Sequence, residues 1–189
     1  MPDVSTVSRT PSHELNMRVI HLLWEGPTSL KELVENDKEP PSKKVDKGLY
    51  QVYGSHPVYG PKVLLYIGMT CETFAQRLRE HYAEWRNIGV PDYLTLDVYL
   101  GRLMRQSKDH TPTDWSDQIK RIEKLLIFAH APAWNSSSIN TGPDQEIKNL
   151  HVLNWGQRGS LLPELTGAYW SSRYDTDDYW PYYGEPLPK

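Results

Sequence analysis

Two tyrosines of this chain stand in short, β-favouring runs beside glycine: Tyr50 in Gly48-Leu49-Tyr50 and Tyr66 in Tyr66-Ile67-Gly68. Paired phenols can simply pack, or they can be two halves of one site. A free phenol titrates near pH 10, so using one as a base at neutral pH requires nearby positive charge to favour the phenolate. Arg77 and His81, four residues apart, project from one side of a helix and can act on one group. The same spacing also occurs in ordinary surface pairs. Glu123 lies one residue beyond Ile122 and one turn beyond Ile119, at the edge of an apolar stripe. A carboxylate there can flank the core, pair with a Lys or Arg, or ligate Mg²⁺, which takes one or two carboxylates and keeps several waters. Asn135 follows a proline-bearing run, where its side chain can cap a turn or accept a contact from the site.

The elements that must position these groups follow from periodicity. Residues 48–54 and 63–70 are rich in Val, Leu, Ile and Tyr, and the Pro- and Gly-bearing segment between them predicts a β-hairpin with a long loop. Phe74, Leu78, Tyr82 and Trp85 make a helical stripe, with Thr70 or Thr73 as its cap. In residues 92–103, Leu94, Leu96, Val98 and Leu100 alternate with Tyr93, Thr95, Asp97 and Tyr99, which predicts a third strand. Trp115, Ile119, Ile122 and Leu126 predict a helix over about 113–129 that stops before Pro132. The expected fold class is α+β: a small three-stranded antiparallel sheet flanked by helices, in the order β-β-α-β-α, over residues 47–140.

Residues 1–46 read as a helical N-terminal extension and linker. Leu15, Val19, Leu22 and Leu23 fall at helical spacing behind Ser12, and Ser29 with Glu32 forms a capping box for a second, shorter helix. Residues 141–189 read as a C-terminal extension packed on the core. It holds a candidate strand at 149–156, a turn with a short element at 161–170, and seven aromatics: Tyr169, Trp170, Tyr174, Tyr179, Trp180, Tyr182 and Tyr183. Such rings can stack on unpaired bases, but the interspersed Asp175, Asp177 and Asp178 favour a strap packed over the domain.

Composition sets the outer limits. The 189 residues suffice for one core. With 38% apolar residues and a mean hydropathy of -0.64, there is no apolar run near the roughly 18 residues a membrane span needs. The first residues lack the basic and apolar regions of a secretory signal, so a cytoplasmic protein is expected. The single Cys71 cannot form an intrachain disulfide, and no CxxC or paired Cys/His spacing suggests structural zinc. A net charge of -3 gives no general attraction for phosphates, yet residues 47–140 carry 11 basic and 9 acidic side chains while both flanks are acidic. That excess removes an objection to nucleic-acid binding without establishing it.

In order and on the same predicted elements, Gly48-Leu49-Tyr50, Tyr66-Ile67-Gly68, Arg77-x-x-x-His81, Glu123 and Asn135 resemble the GIY-YIG nuclease superfamily, most like its restriction-endonuclease branch. The resemblance covers about half the chain, and GIY stands here as GLY. It implies a Mg²⁺-dependent (or Mn²⁺-dependent) endonuclease that hydrolyses DNA phosphodiester bonds, with a homodimer to cut both strands of a duplex. Repair or homing-type cleavage, or an inactive module binding nucleic acid or protein, are the alternatives. Carried over residue by residue, Tyr50 is the base or a relay to it, Tyr66 orients nucleophile or phosphate, and Arg77 offsets charge on the phosphorane. His81 hydrogen-bonds Tyr50, Glu123 holds the metal, and Asn135 braces the site. Lys47 and Lys62 flank the hairpin as candidate phosphate contacts, and Arg158 is a third candidate beyond the core. The hairpin loop is longer than that family usually shows, and extra length there can touch DNA or merely extend the turn.

Overall fold

Residues 18–29 alternate rather than wind. The computed structural model describes residues 17–35, 47–87, 95–104, 112–140 and 145–172. In it, Arg18–Ser29 is strand β1, with Ile20, Leu22 and Trp24 buried and Val19 and Leu23 facing outward. Val19, Leu22 and Leu23 fit a helical stripe equally well. The strand prevails because it has two long-range partners, β4 running antiparallel and β5 running parallel, which no local window contains. Ser12 and Leu15 lie outside the described residues. The short helix α1, Leu30–Glu35, starts as expected, with the Glu32 amide donating to Ser29 Oγ at 3.1 Å.

The hairpin is β2, Gly48–His56, and β3, Gly60–Thr70, so its connection is a short turn rather than a long loop. Helix α2, Phe74–Asn87, buries Phe74, Leu78 and Trp85. Strand β4, Asp97–Leu103, follows the alternation, with Val98 and Leu100 buried and Leu96 buried just before it, whereas Tyr93 and Leu94 lie outside the described residues. Helix α3, Pro112–His130, buries Ile119, Ile122, Leu125 and Leu126. Then come α4, Gln145–Lys148, β5, Leu150–Gly156, β6, Glu164–Thr166, and α5, Gly167–Ser172.

These strands form one curled, mixed sheet of six, in the order β3-β2-β4-β1-β5-β6. The expected small three-stranded antiparallel sheet is therefore corrected. Its three strands are present as β3-β2-β4, but they make up only half of the sheet. The N-terminal segment is not a helical appendage, since it supplies the strand between β4 and β5. The C-terminal segment extends the sheet with β5 and β6 and seats Trp170 edge-on against Phe128 at 5.6 Å. Tyr174, Tyr179, Trp180, Tyr182 and Tyr183 lie outside the described residues. Among those described, no helix is long and apolar enough to cross a membrane.

Alternation along the strands sends neighbours to opposite faces. Leu49 and Ile67 join Leu22 and Trp24 under α3, while Tyr50, Val52, Leu65 and Val98 pack with α1 and α2. Trp24 lies flat against Gly101, where any Cβ would strike its ring, and donates from Nε1 to Asn154 Oδ1 at 2.9 Å, tying β1 to both neighbours.

Candidate active site at the free edge of the sheet

Strand β3 ends the sheet, and an edge strand leaves alternate N–H and C=O groups without ladder partners. Here three groups from α3 and the segment after it meet them. The Trp134 amide donates to the Leu65 carbonyl at 2.7 Å. Asn135 acts like a piece of strand: its Oδ1 accepts from the Ile67 amide and its Nδ2 donates to the Ile67 carbonyl, both at 2.9 Å. The Glu123 carboxylate accepts from the Met69 amide. Residues 65, 67 and 69 point their backbone groups the same way, so the three supports follow one another along one edge.

Tyr50 reaches this edge from the neighbouring strand. Its cross-strand partner is Gly68, and a Cβ built there would collide with the Tyr50 hydroxyl and lie 2.7 Å from Tyr66 Cε1. The glycine thus opens the path by which the phenol crosses β3. The Tyr50 and Tyr66 rings are 6.1 Å apart and within 25° of parallel. From α2, the His81 ring lies 5.1 Å from Tyr66 and 6.2 Å from Tyr50, and stacks on Trp85 at 5.3 Å and 8°. One turn earlier Arg77 is half-exposed and pairs with Glu80 at 3.0 Å, an exposed i, i+3 contact that adds little stability.

Charge links these groups. Burial pushes the Tyr50 phenol far above its ordinary range; Tyr66 and Glu123 push the same way and Arg77 opposes them. Burial, with Glu123, also raises Tyr66. Burial lifts the Glu123 carboxyl to about 7, against the pull of Arg77 and the Met69 amide. Burial and Arg77 lower His81 despite Glu84, so its ring is neutral at pH 7. With Nδ1 facing Glu84 Oε2 at 3.1 Å, the proton belongs on Nδ1 and Nε2 is a bare acceptor. Both Tyr50 Oη and His81 Nε2 are buried without a hydrogen-bond partner among the described residues. Arg77 is close enough for its charge to act on Tyr50, yet no well-formed hydrogen bond joins them. The hydrogen bond expected from His81 to Tyr50 is likewise not formed.

The sequence-predicted set thus separates into two groups. Tyr50, Tyr66, Arg77, His81 and Glu123 meet, and Asn135 holds the strand that carries Tyr66. Of the candidate phosphate contacts, Lys47 and Arg158 have contacts within the chain, and Lys62 is open to solvent. Lys47 Nζ sits 4.3 Å above the Trp115 ring. Lys62 is exposed beside the hairpin turn. Arg158 donates to the Leu161 carbonyl at 2.7 Å within its own loop. Sequence reasoning missed Trp85, Glu84 and the Met69 amide. Glu84 was within reach, three residues beyond His81 on the same helix face, whereas nothing local marks an edge amide.

Comparison with family models, curated proteins and solved structures finds no match for this chain. The chemistry open to the site follows from its own groups: a carboxylate of elevated proton affinity, two phenols, a bare imidazole nitrogen and a guanidinium at the mouth. Glu123 uses part of its acceptor capacity on the Met69 amide. Among the described residues no three His, Cys, Asp or Glu side chains form a metal cage.

Proposed function

We propose that the protein is a divalent-metal-dependent endonuclease that hydrolyses DNA phosphodiester bonds, acting as a restriction-type dimer on duplex DNA. The observation that carries this reading is the meeting of Tyr50 and Tyr66 at Gly68, with the charges of Arg77 and Glu123 acting on both phenols and two buried polar atoms, Tyr50 Oη and His81 Nε2, lacking partners among the described residues. Unpartnered buried polar atoms carry a desolvation cost that a bound ligand or water can relieve.

Glu123 would hold the Mg²⁺ or Mn²⁺, whose chemistry here is to offset charge on the phosphate. Tyr50 activates water, directly or as a relay, and His81, its ring 6.2 Å from that of Tyr50, offers Nε2 as an acceptor. Arg77, at the mouth, offsets the negative charge that builds on the phosphorane. Tyr66 orients phosphate or nucleophile. Asn135 is a positioning residue that fixes the strand beneath Tyr66. Burial alone disfavours the Tyr50 phenolate, so the base role requires cationic charge beyond that of Arg77.

A second reading has its own observation. Glu123 and Asn135 each satisfy backbone groups of β3, so their presence is explained without catalysis, and a nucleic-acid- or protein-binding module of the same fold would retain them. The discriminating experiment is nicking of supercoiled plasmid with and without Mg²⁺. Metal-dependent cutting that Glu123→Ala abolishes while circular dichroism is unchanged supports the nuclease; undiminished cutting by the variant removes the metal role, and no cutting by the natural protein favours the binding module.

A further inference from the structure

The turn joining β2 to β3 presents apolar side chains to solvent: Val58 is 80% exposed and Tyr59 67%. They are held rigidly. His56 Nδ1 accepts the amides of Val58 at 3.2 Å and Tyr59 at 3.3 Å, and its ring stacks on Tyr59 at 4.7 Å and 22°. Two donors at Nδ1 fix the neutral ring's proton on Nε2, so a ring N–H stays free to donate. Gly60 turns the chain at φ 90 with nothing within 4 Å of a Cβ built there, and Lys62 follows, exposed. A stiff aromatic tip with a free donor and a cation loses little entropy when it binds. Apolar wedges with flanking cations are a means of prising base steps from the minor groove.

We propose that Val58 and Tyr59 form a wedge that enters the minor groove of the duplex being cut, with Lys62 on the adjacent phosphates. The inference rests on the nuclease reading and adds a second grip to it. Seven residues along β3 separate Tyr59 from Tyr66, roughly 23 Å at strand rise. With β3 laid along the duplex axis, that puts the wedge roughly seven base steps from the scissile phosphate.

The test uses the full chain and a duplex spanning a cut mapped from plasmid digestion, with 2-aminopurine scanned through the fifth to ninth positions from the cut. The expected result is a rise in fluorescence on binding, in Ca²⁺ to withhold cleavage. Tyr59→Ala loses the rise and binds roughly tenfold more weakly; Tyr59→Phe keeps both signals. Cutting by the natural protein with no fluorescence rise, or a Tyr59→Ala variant that binds as tightly, overturns the wedge and leaves the nuclease standing. Failure of the natural protein to cut plasmid at all overturns both.

Discussion

Tyr50 shows how a single hydroxyl separates stability from activity. Its oxygen is buried and makes no well-formed hydrogen bond among the described residues, so its removal is expected to cost the fold little. Tyr50→Phe is expected to unfold at the same temperature as the natural protein or slightly higher, while on the proposed nuclease reading cleavage at saturating DNA falls at least about 100-fold. A fall in affinity without a fall in rate would make the phenol a binding group. Glu123 yields a pH signature. Its carboxyl is raised from 4.5 to about 7 by burial, so the folded chain keeps a proton that the unfolded chain has released. Its contribution to stability is therefore present at low pH and lost as pH rises through that window, by on the order of 3 kcal/mol. The difference between natural protein and Glu123→Gln in metal-free urea melts should follow this slope, with the variant the more stable above pH 7. On the proposed nuclease reading, cleavage should rise with pH through about 7 at limiting Mg²⁺, and more Mg²⁺ should move the rise to lower pH, because ion and proton would compete for one carboxylate.

At the scale of elements, the site depends on an edge strand closed from outside. Asn135→Ala would leave the Ile67 amide and carbonyl unpaired in a buried position, and is expected to destabilise the fold by about 3 kcal/mol in chemical denaturation. The cutting rate should fall with it, since Tyr66 is the next residue along. The hairpin, α2, β4 and α3 were all legible because their apolar spacing matches one period only, as in Phe74, Leu78 and Trp85. Strand β1 was not, because Val19, Leu22 and Leu23 fit a helical stripe while the buried set Ile20, Leu22 and Trp24 alternates, and its partners are remote. The short hairpin connection was misread for a related reason. Pro57, Gly60 and Pro61 signal a turn, and the signal does not say how far pairing continues into it: His56 pairs with Gly60.

At the scale of the whole molecule, the motif-bearing half does not stand alone. Ile20, Leu22 and Trp24 fill the core beneath α3, and β1 provides the ladder for both β4 and β5. A chain cut to residues 47–140 is therefore expected to show no cooperative thermal unfolding by circular dichroism, whereas the full chain should melt in one transition. The sequence by itself determined the residue types of the site, their order, and the local elements that carry most of them, since side-chain chemistry and short-range periodicity are written along the chain. Only the tertiary structure decided that β3 lies at an edge, that Gly68 clears the path for Tyr50, and that Glu123 arrives beside Met69. Those facts depend on pairing and packing between segments far apart in the chain, and on the low-dielectric environment that burial then creates around the carboxyl and the phenols.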